Sequence, residues 1–69
     1  MQEIKDLRRE LGLSQNQFAW YFGISPSTIH NWEQGLSKPP KYVPRMIRKI
    51  ATYEREQIKE FVRNGGERK

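Results

Sequence analysis

Gly12 and Gly23 are each followed two residues later by a serine, Ser14 and Ser25, and this punctuation restricts the first half of the chain to short helices joined by tight turns. A glycine just past an apolar-periodic segment supplies the left-handed stop of a helix, and a serine hydroxyl accepts a hydrogen bond from an orphan amide at the start of the next. Before Gly12, the residues Ile4, Leu7 and Leu11 fall on one helical face. Ser14 then caps a second helix, and Gln17 stands three places on, where it completes a capping box. The inward face of that helix is Phe18, Ala19 and Phe22, and Gly23 ends it.

Ser25 caps a third helix with Pro26 at its first position, where a missing N–H is harmless and the fixed φ is already helical. Gly35 closes it ahead of the loop SKPP. At about 100° per residue, Ile29 and Trp32 share one side, whereas Ser27, Asn31, Gln34 and, at the margin, His30 share the other. The polar residues of this short helix are therefore segregated. In the last segment Val43, Met46, Ile47, Ile50, Ala51, Ile58, Phe61 and Val62 form one stripe of about 160°, interrupted by Glu54. That unbroken phase predicts a single long helix over about 43–64, starting near Tyr42 to Pro44 because Pro44 is tolerated only in a first turn.

No segment alternates with period two, so the expected class is all-α, a small domain of four helices spanning 1–64 with a disordered tail at 65–69. With 69 residues, such a domain buries only about 60% of its unfolded surface and leaves little room for a catalytic cavity. There is no Cys and one His, so disulfides and metal clusters are excluded and no cofactor is expected. Asp6, Glu10 and Glu33 lie on helices without a nucleophile, a second His or a phosphate-binding glycine loop, which argues against an enzyme. No apolar run is long enough for a membrane span or signal peptide, so the expectation is a soluble, cytoplasmic protein with no membrane partner.

Charge is distributed unevenly. Residues 1–34 carry three Lys or Arg against four Asp or Glu, a balance of −1, whereas residues 35–69 carry ten against four Glu, a balance of +6. A basic half beginning where the third helix ends points to a polyanionic partner.

Two short helices joined by a tight glycine turn, the second showing a polar face, form the arrangement that places a recognition helix in the DNA major groove. Residues 15–34, QNQFAWYFGISPSTIHNWEQ, resemble the helix-turn-helix of the phage lambda repressor and Cro (XRE-type) family, with a small Ala19 where the helices cross, Gly23 in the turn, and Ile24, Ile29 and Trp32 as the apolar locks. The resemblance covers roughly residues 3–50. It implies a sequence-specific, double-stranded DNA-binding transcriptional regulator, usually a homodimer. By position it implies base contacts from Pro26, Ser27 and Asn31, a phosphate contact from Gln15, backbone contacts from Lys38 and Lys41, and a structural ion pair between Arg8 and Glu33.

Beside the resemblance, Gln34 can bond a phosphate and Arg45 joins Lys38 and Lys41 in a cluster next to the recognition helix, which favours phosphate contact. Pro26 stands where several relatives carry a base-reading Gln and can offer only its ring to a thymine methyl, so direct reading leans on Asn31. Two features exceed the family pattern: Trp20 on the solvent side of the second helix, and the long C-terminal stripe. The stripe predicts that Ile58, Phe61 and Val62 either pack on another chain or fold back onto Trp20. The competing expectation is accordingly a protein-binding module, an antitoxin or adaptor, that uses Trp20, Ile58, Phe61 and Val62. RNA binding is disfavoured because the sequence shows no evident aromatic platform interleaved with basic residues.

Overall fold

The structure, a computed structural model, describes residues 2–66. Among them are five helices and no strand, in the order α1 (Gln2–Glu10), α2 (Gln15–Phe22), α3 (Pro26–Gln34), α4 (Tyr42–Tyr53) and α5 (Arg55–Arg63). None of the described helices is long and apolar enough to cross a membrane.

The caps follow the punctuation. Ser14 accepts from the Gln17 amide at 3.1 Å while its own amide donates to Gln17 Oε1 at 2.9 Å, a complete capping box. Ser25 accepts from the Thr28 amide at 3.1 Å, with Pro26 at the first position of α3. Between these helices Gly23 adopts φ 71°, which L side chains rarely take, and the amides of Gly23 and Ile24 both donate to the Ala19 carbonyl. The sharp reversal brings α3 back across α2, against which Ala19 is fully buried.

Around that crossing the core closes. Ile4, Phe18, Ile29 and Ile47, one from each of α1 to α4, are the largest fully buried side chains, with Leu7, Leu13, Trp32, Val43 and Ile58 beside them. Each such side chain contributes about 1.5–3 kcal/mol through burial.

The long C-terminal helix does not form. The chain breaks at Glu54, where φ is −113° and ψ 28°, and α4 and α5 are separate helices. Two contacts account for the bend. Thr52 Oγ1 donates back to the Arg48 carbonyl at 3.0 Å, a bond that competes with the helical ladder and bends helices. The Tyr21 hydroxyl on α2 then donates to Glu54 Oε1 at 2.6 Å, fixing the corner. Burial first and Glu54 second push the Tyr21 hydroxyl up to about 12, so it remains a donor at neutral pH. Beyond the corner α5 turns back onto α2, with Ile58 2% exposed in the core and the Phe61 ring edge-on to Tyr21 at 5.2 Å.

Of the stripe's expected arrangements, the chain itself shows a fold-back onto α2, with Tyr21 meeting Phe61. Ile58 is buried within its own chain, and Phe61 and Val62 are half-buried against the same core. Within the chain the Phe61 ring meets Tyr21, and Ile58 has almost no exposed surface.

Of the expected tail at 65–69, Gly65 and Gly66 are among the described residues. Gly65 and Gly66 both take positive φ and close α5, their amides donating to Val62 at 3.1 Å and Phe61 at 2.8 Å, while Gln17 Nε2 donates to the Gly65 carbonyl at 3.3 Å. The remainder of that expectation, 67–69, lies outside the described residues.

Candidate nucleic-acid interface

Within α3 the two faces are separated by burial. Ile29 is 0% and Trp32 8% exposed on the inner side, while Pro26, Ser27, His30 and Gln34 are exposed and Asn31 is half-buried on the outer side. Ser27 and Asn31 stand one turn apart, so a ligand lying along the helix meets both. His30, at the margin of that face on the helical wheel, is exposed as well. The Asn31 carbonyl also accepts from the amides of Leu36 at 2.9 Å and Ser37 at 3.4 Å, so the loop after Gly35 is tied to the residue expected to do most of the reading.

What orients α3 is a part-buried charge cluster near its C-terminal end. Arg8 Nε donates to Glu33 Oε2 at 2.7 Å and Arg8 Nη2 to Glu33 Oε1 at 2.9 Å, a two-pronged pair whose side chains are 13% and 1% exposed. Arg8 Nη1 further donates to the Leu13 carbonyl at 3.0 Å, so one guanidinium joins α1, the α1–α2 turn and α3. Gln15 Nε2 completes the set by donating to Glu33 Oε1 at 3.0 Å. A carboxamide has two N–H groups, so Gln15 supports Glu33 with one and has one left to offer outward.

Burial alone would push the Glu33 carboxyl up, but the bonds from Arg8 and Gln15 and the nearby charges of Arg8 and Lys5 outweigh it and hold the group below its ordinary value of 4.5. The guanidinium of Arg8 is raised, chiefly by its bond to Glu33. The folded carboxylate therefore binds protons less readily than the unfolded one, so its stabilisation is fully present above the ordinary value and is lost as pH falls through the folded value. Melting temperature should hold steady down to about pH 5 and then drop, and Glu33→Gln should flatten the drop. Thermal melts from neutral pH to about 3 test this; equal slopes in the two proteins would contradict it.

Past α3 the loop and the start of α4 gather the cations. Lys38, Lys41, Arg45 and Arg48, with Pro39, Pro40, Pro44 and Glu3, line a shallow cleft of about 450 Å³. Arg48 is paired with Glu3 at 2.6 Å, whereas no ion pair among the described residues engages Lys38, Lys41 or Arg45. Three exposed cations on one rim, unneutralised by the protein, give it a positive edge. Trp20, 36% exposed, sits apart from it on α2, where it lines a shallow depression with Tyr21, Phe22, Gly23 and Phe61.

Comparison with known proteins agrees with this geometry. A family profile described as helix-turn-helix matches residues 4–43. A relative from Bacillus subtilis (strain 168), named as an uncharacterized HTH-type transcriptional regulator RghRB, is 44% identical over 50 residues, which cover 72% of this chain and 34% of the relative. The chain thus spans about a third of that relative's length. No solved structure matches it. The glycine turn between α2 and α3, the buried Arg8–Glu33 pair and a match across more than half of the sequence place the chain in the helix-turn-helix family of the phage lambda repressor and Cro type.

Proposed function

We propose that the protein is a sequence-specific, double-stranded DNA-binding transcriptional regulator that inserts α3 into the major groove. The observation that carries this reading is the division of α3 into a core face fixed by Ile29, Trp32 and Glu33 and a polar outer face formed by Ser27, His30, Asn31 and Gln34. Asn31 pairs with the edge of an adenine, Ser27 supports it, and the Pro26 ring meets a thymine methyl. Phosphates are held by Lys38, Lys41 and Arg45, by Gln34, and at the N-terminus of α2 by the second N–H of Gln15 together with the first-turn amides.

Selection from random duplex DNA, followed by anisotropy titration at two salt concentrations, tests the assignment. Asn31→Ala should remove about 1–3 kcal/mol of discrimination at one base position and leave the other positions unchanged. Equal base preference in the variant and the parent protein would take base reading away from this face. If the protein acts as a dimer, the enriched site is a near-palindrome whose half-site centres lie about 34 Å apart or a multiple of that. Sedimentation of a monomeric complex on such a site would remove the dimer from the proposal.

The competing reading as a protein-binding module loses much of its expected surface, since Ile58 is buried and Phe61 and Val62 are half-buried. Trp20 remains as its exposed element on that side.

A further inference from the structure

A row of exposed apolar side chains lies on α4, along the edge of the stripe that packs the core, with which it shares Met46. Tyr42 is 65%, Met46 42% and Tyr53 80% exposed. At about 100° per residue these three and Lys49 fall within a band of about 60°, recurring as i, i+4, i+7 and i+11. That is the periodicity of a helix-packing seam, with Lys49 as its single polar position. From Tyr42 to Tyr53 the seam runs about 16 Å.

Its electrostatics are one-sided. α4 contains Arg45, Arg48 and Lys49 and no carboxylate. Arg45 runs along one flank of the seam with Thr52, and Arg48 lies beyond it. The neighbouring acids are on α1, where Glu3, Asp6 and Glu10 share a cleft with Arg48, and Glu3 is bound to that arginine at 2.6 Å. No ion pair among the described residues engages Arg45 or Lys49. An apolar seam with an unneutralised cation inside it and another beside it calls for a partner that brings apolar groups and carboxylates at helical spacing.

We propose that the outer face of α4 docks an acidic amphipathic helix of a protein partner, its apolar side chains seated on Tyr42, Met46 and Tyr53 and its carboxylates opposite Lys49 and Arg45. A second copy of this chain fits less well. Two α4 helices face to face would gather Arg45 and Lys49 from both molecules around a seam to which neither brings a carboxylate. A single nucleic-acid strand would find aromatic faces and cations here, an arrangement not evident along the sequence, but it has no use for the i, i+4, i+7, i+11 repeat. Arg45 also belongs to the phosphate rim, so the separation from DNA binding through α3 is carried by Tyr42, Met46, Lys49 and Tyr53, which the DNA reading does not use.

The test uses the full chain and a fluorescein-labelled two-heptad peptide with Leu at its seam positions and Glu at the flanking ones. Controls are a peptide of the same composition with shuffled order, a peptide with Lys in place of Glu, and a thymidine homo-oligonucleotide. Anisotropy should show binding of the Glu peptide alone among the peptides. The triple variant Tyr42→Ser, Met46→Ser, Tyr53→Ser should weaken it about tenfold or more, and Lys49→Glu should weaken it as well. Tyr53→Ser alone, at the most exposed position of the seam, gives a variant whose folding is not at stake, and it should weaken binding in the same direction. The proposal is overturned if the shuffled peptide binds equally, or if the substitutions leave Glu-peptide binding unchanged. It is equally overturned if the oligonucleotide binds more tightly and through the same residues, or if sedimentation shows a dimer that the triple variant abolishes.

Discussion

Glu33→Ala is expected to lower the melting temperature by about 12–24 °C, a large part of what a domain of this size has to lose. The carboxylate is 1% exposed and receives two bonds from Arg8 and one from Gln15. Its removal leaves the guanidinium, itself 13% exposed, without its counter-ion inside the protein. Breaking one side of a buried pair destabilises by about 3–5 kcal/mol, and the lower figure applies here because Arg8 can still turn toward water and keeps its bond to the Leu13 carbonyl. In a chain this short each kcal/mol moves the transition by about 4–8 °C.

The pair is thus a device for placing α3 as much as a source of stability. Replacing both members by apolar residues of similar volume, Arg8→Met with Glu33→Leu, should recover more than half of the lost melting temperature, because no charge is then stranded. Circular-dichroism melts of Arg8→Met, Glu33→Leu and the double variant form the cycle, with Glu33→Ala melted beside them. A double variant no more stable than Glu33→Ala would show that the loss came from packing, not from the orphaned guanidinium.

Removing the cations of the rim should have the largest effect on affinity. With Lys38, Lys41 and Arg45 all changed to alanine, the slope of log K against log salt should become shallower by about 2.7, since each lost phosphate contact removes about 0.9. All duplex sequences should weaken together while the preference among them persists, because phosphate contacts set register and carry no base information. All three side chains are exposed, so the fold should be retained. An unchanged salt slope would place the phosphate contacts elsewhere on the molecule. A slope change accompanied by lost base preference would show that the rim also fixes the angle of α3.

These two variants separate what the sequence made legible from what it did not. The rim could be read directly: Lys38, Lys41 and Arg45 are close in the chain and follow the recognition helix, so proximity in sequence became proximity in space. The Arg8–Glu33 pair could be read through resemblance to the family. Its third member could not, because Gln15 looks outward as a phosphate ligand until α3 places Glu33 within 3.0 Å of it.

By itself the sequence determined the local features: caps at Ser14 and Ser25, left-handed stops at Gly12, Gly23 and Gly35, Pro26 at the start of α3, and the opposed faces of that helix. Each depends on contacts within a few residues or on the helical period, so composition and spacing suffice. The tertiary structure decided where the C-terminal stripe goes. The bend at Glu54 rests on a bond from Tyr21, 33 residues away, and the closing turn at Gly65 on a bond from Gln17, 48 residues away. A helical wheel carries no information on such pairs: it showed one continuous phase, and a one-residue corner turned most of that phase onto the core while leaving Tyr42, Met46 and Tyr53 exposed along its edge on α4.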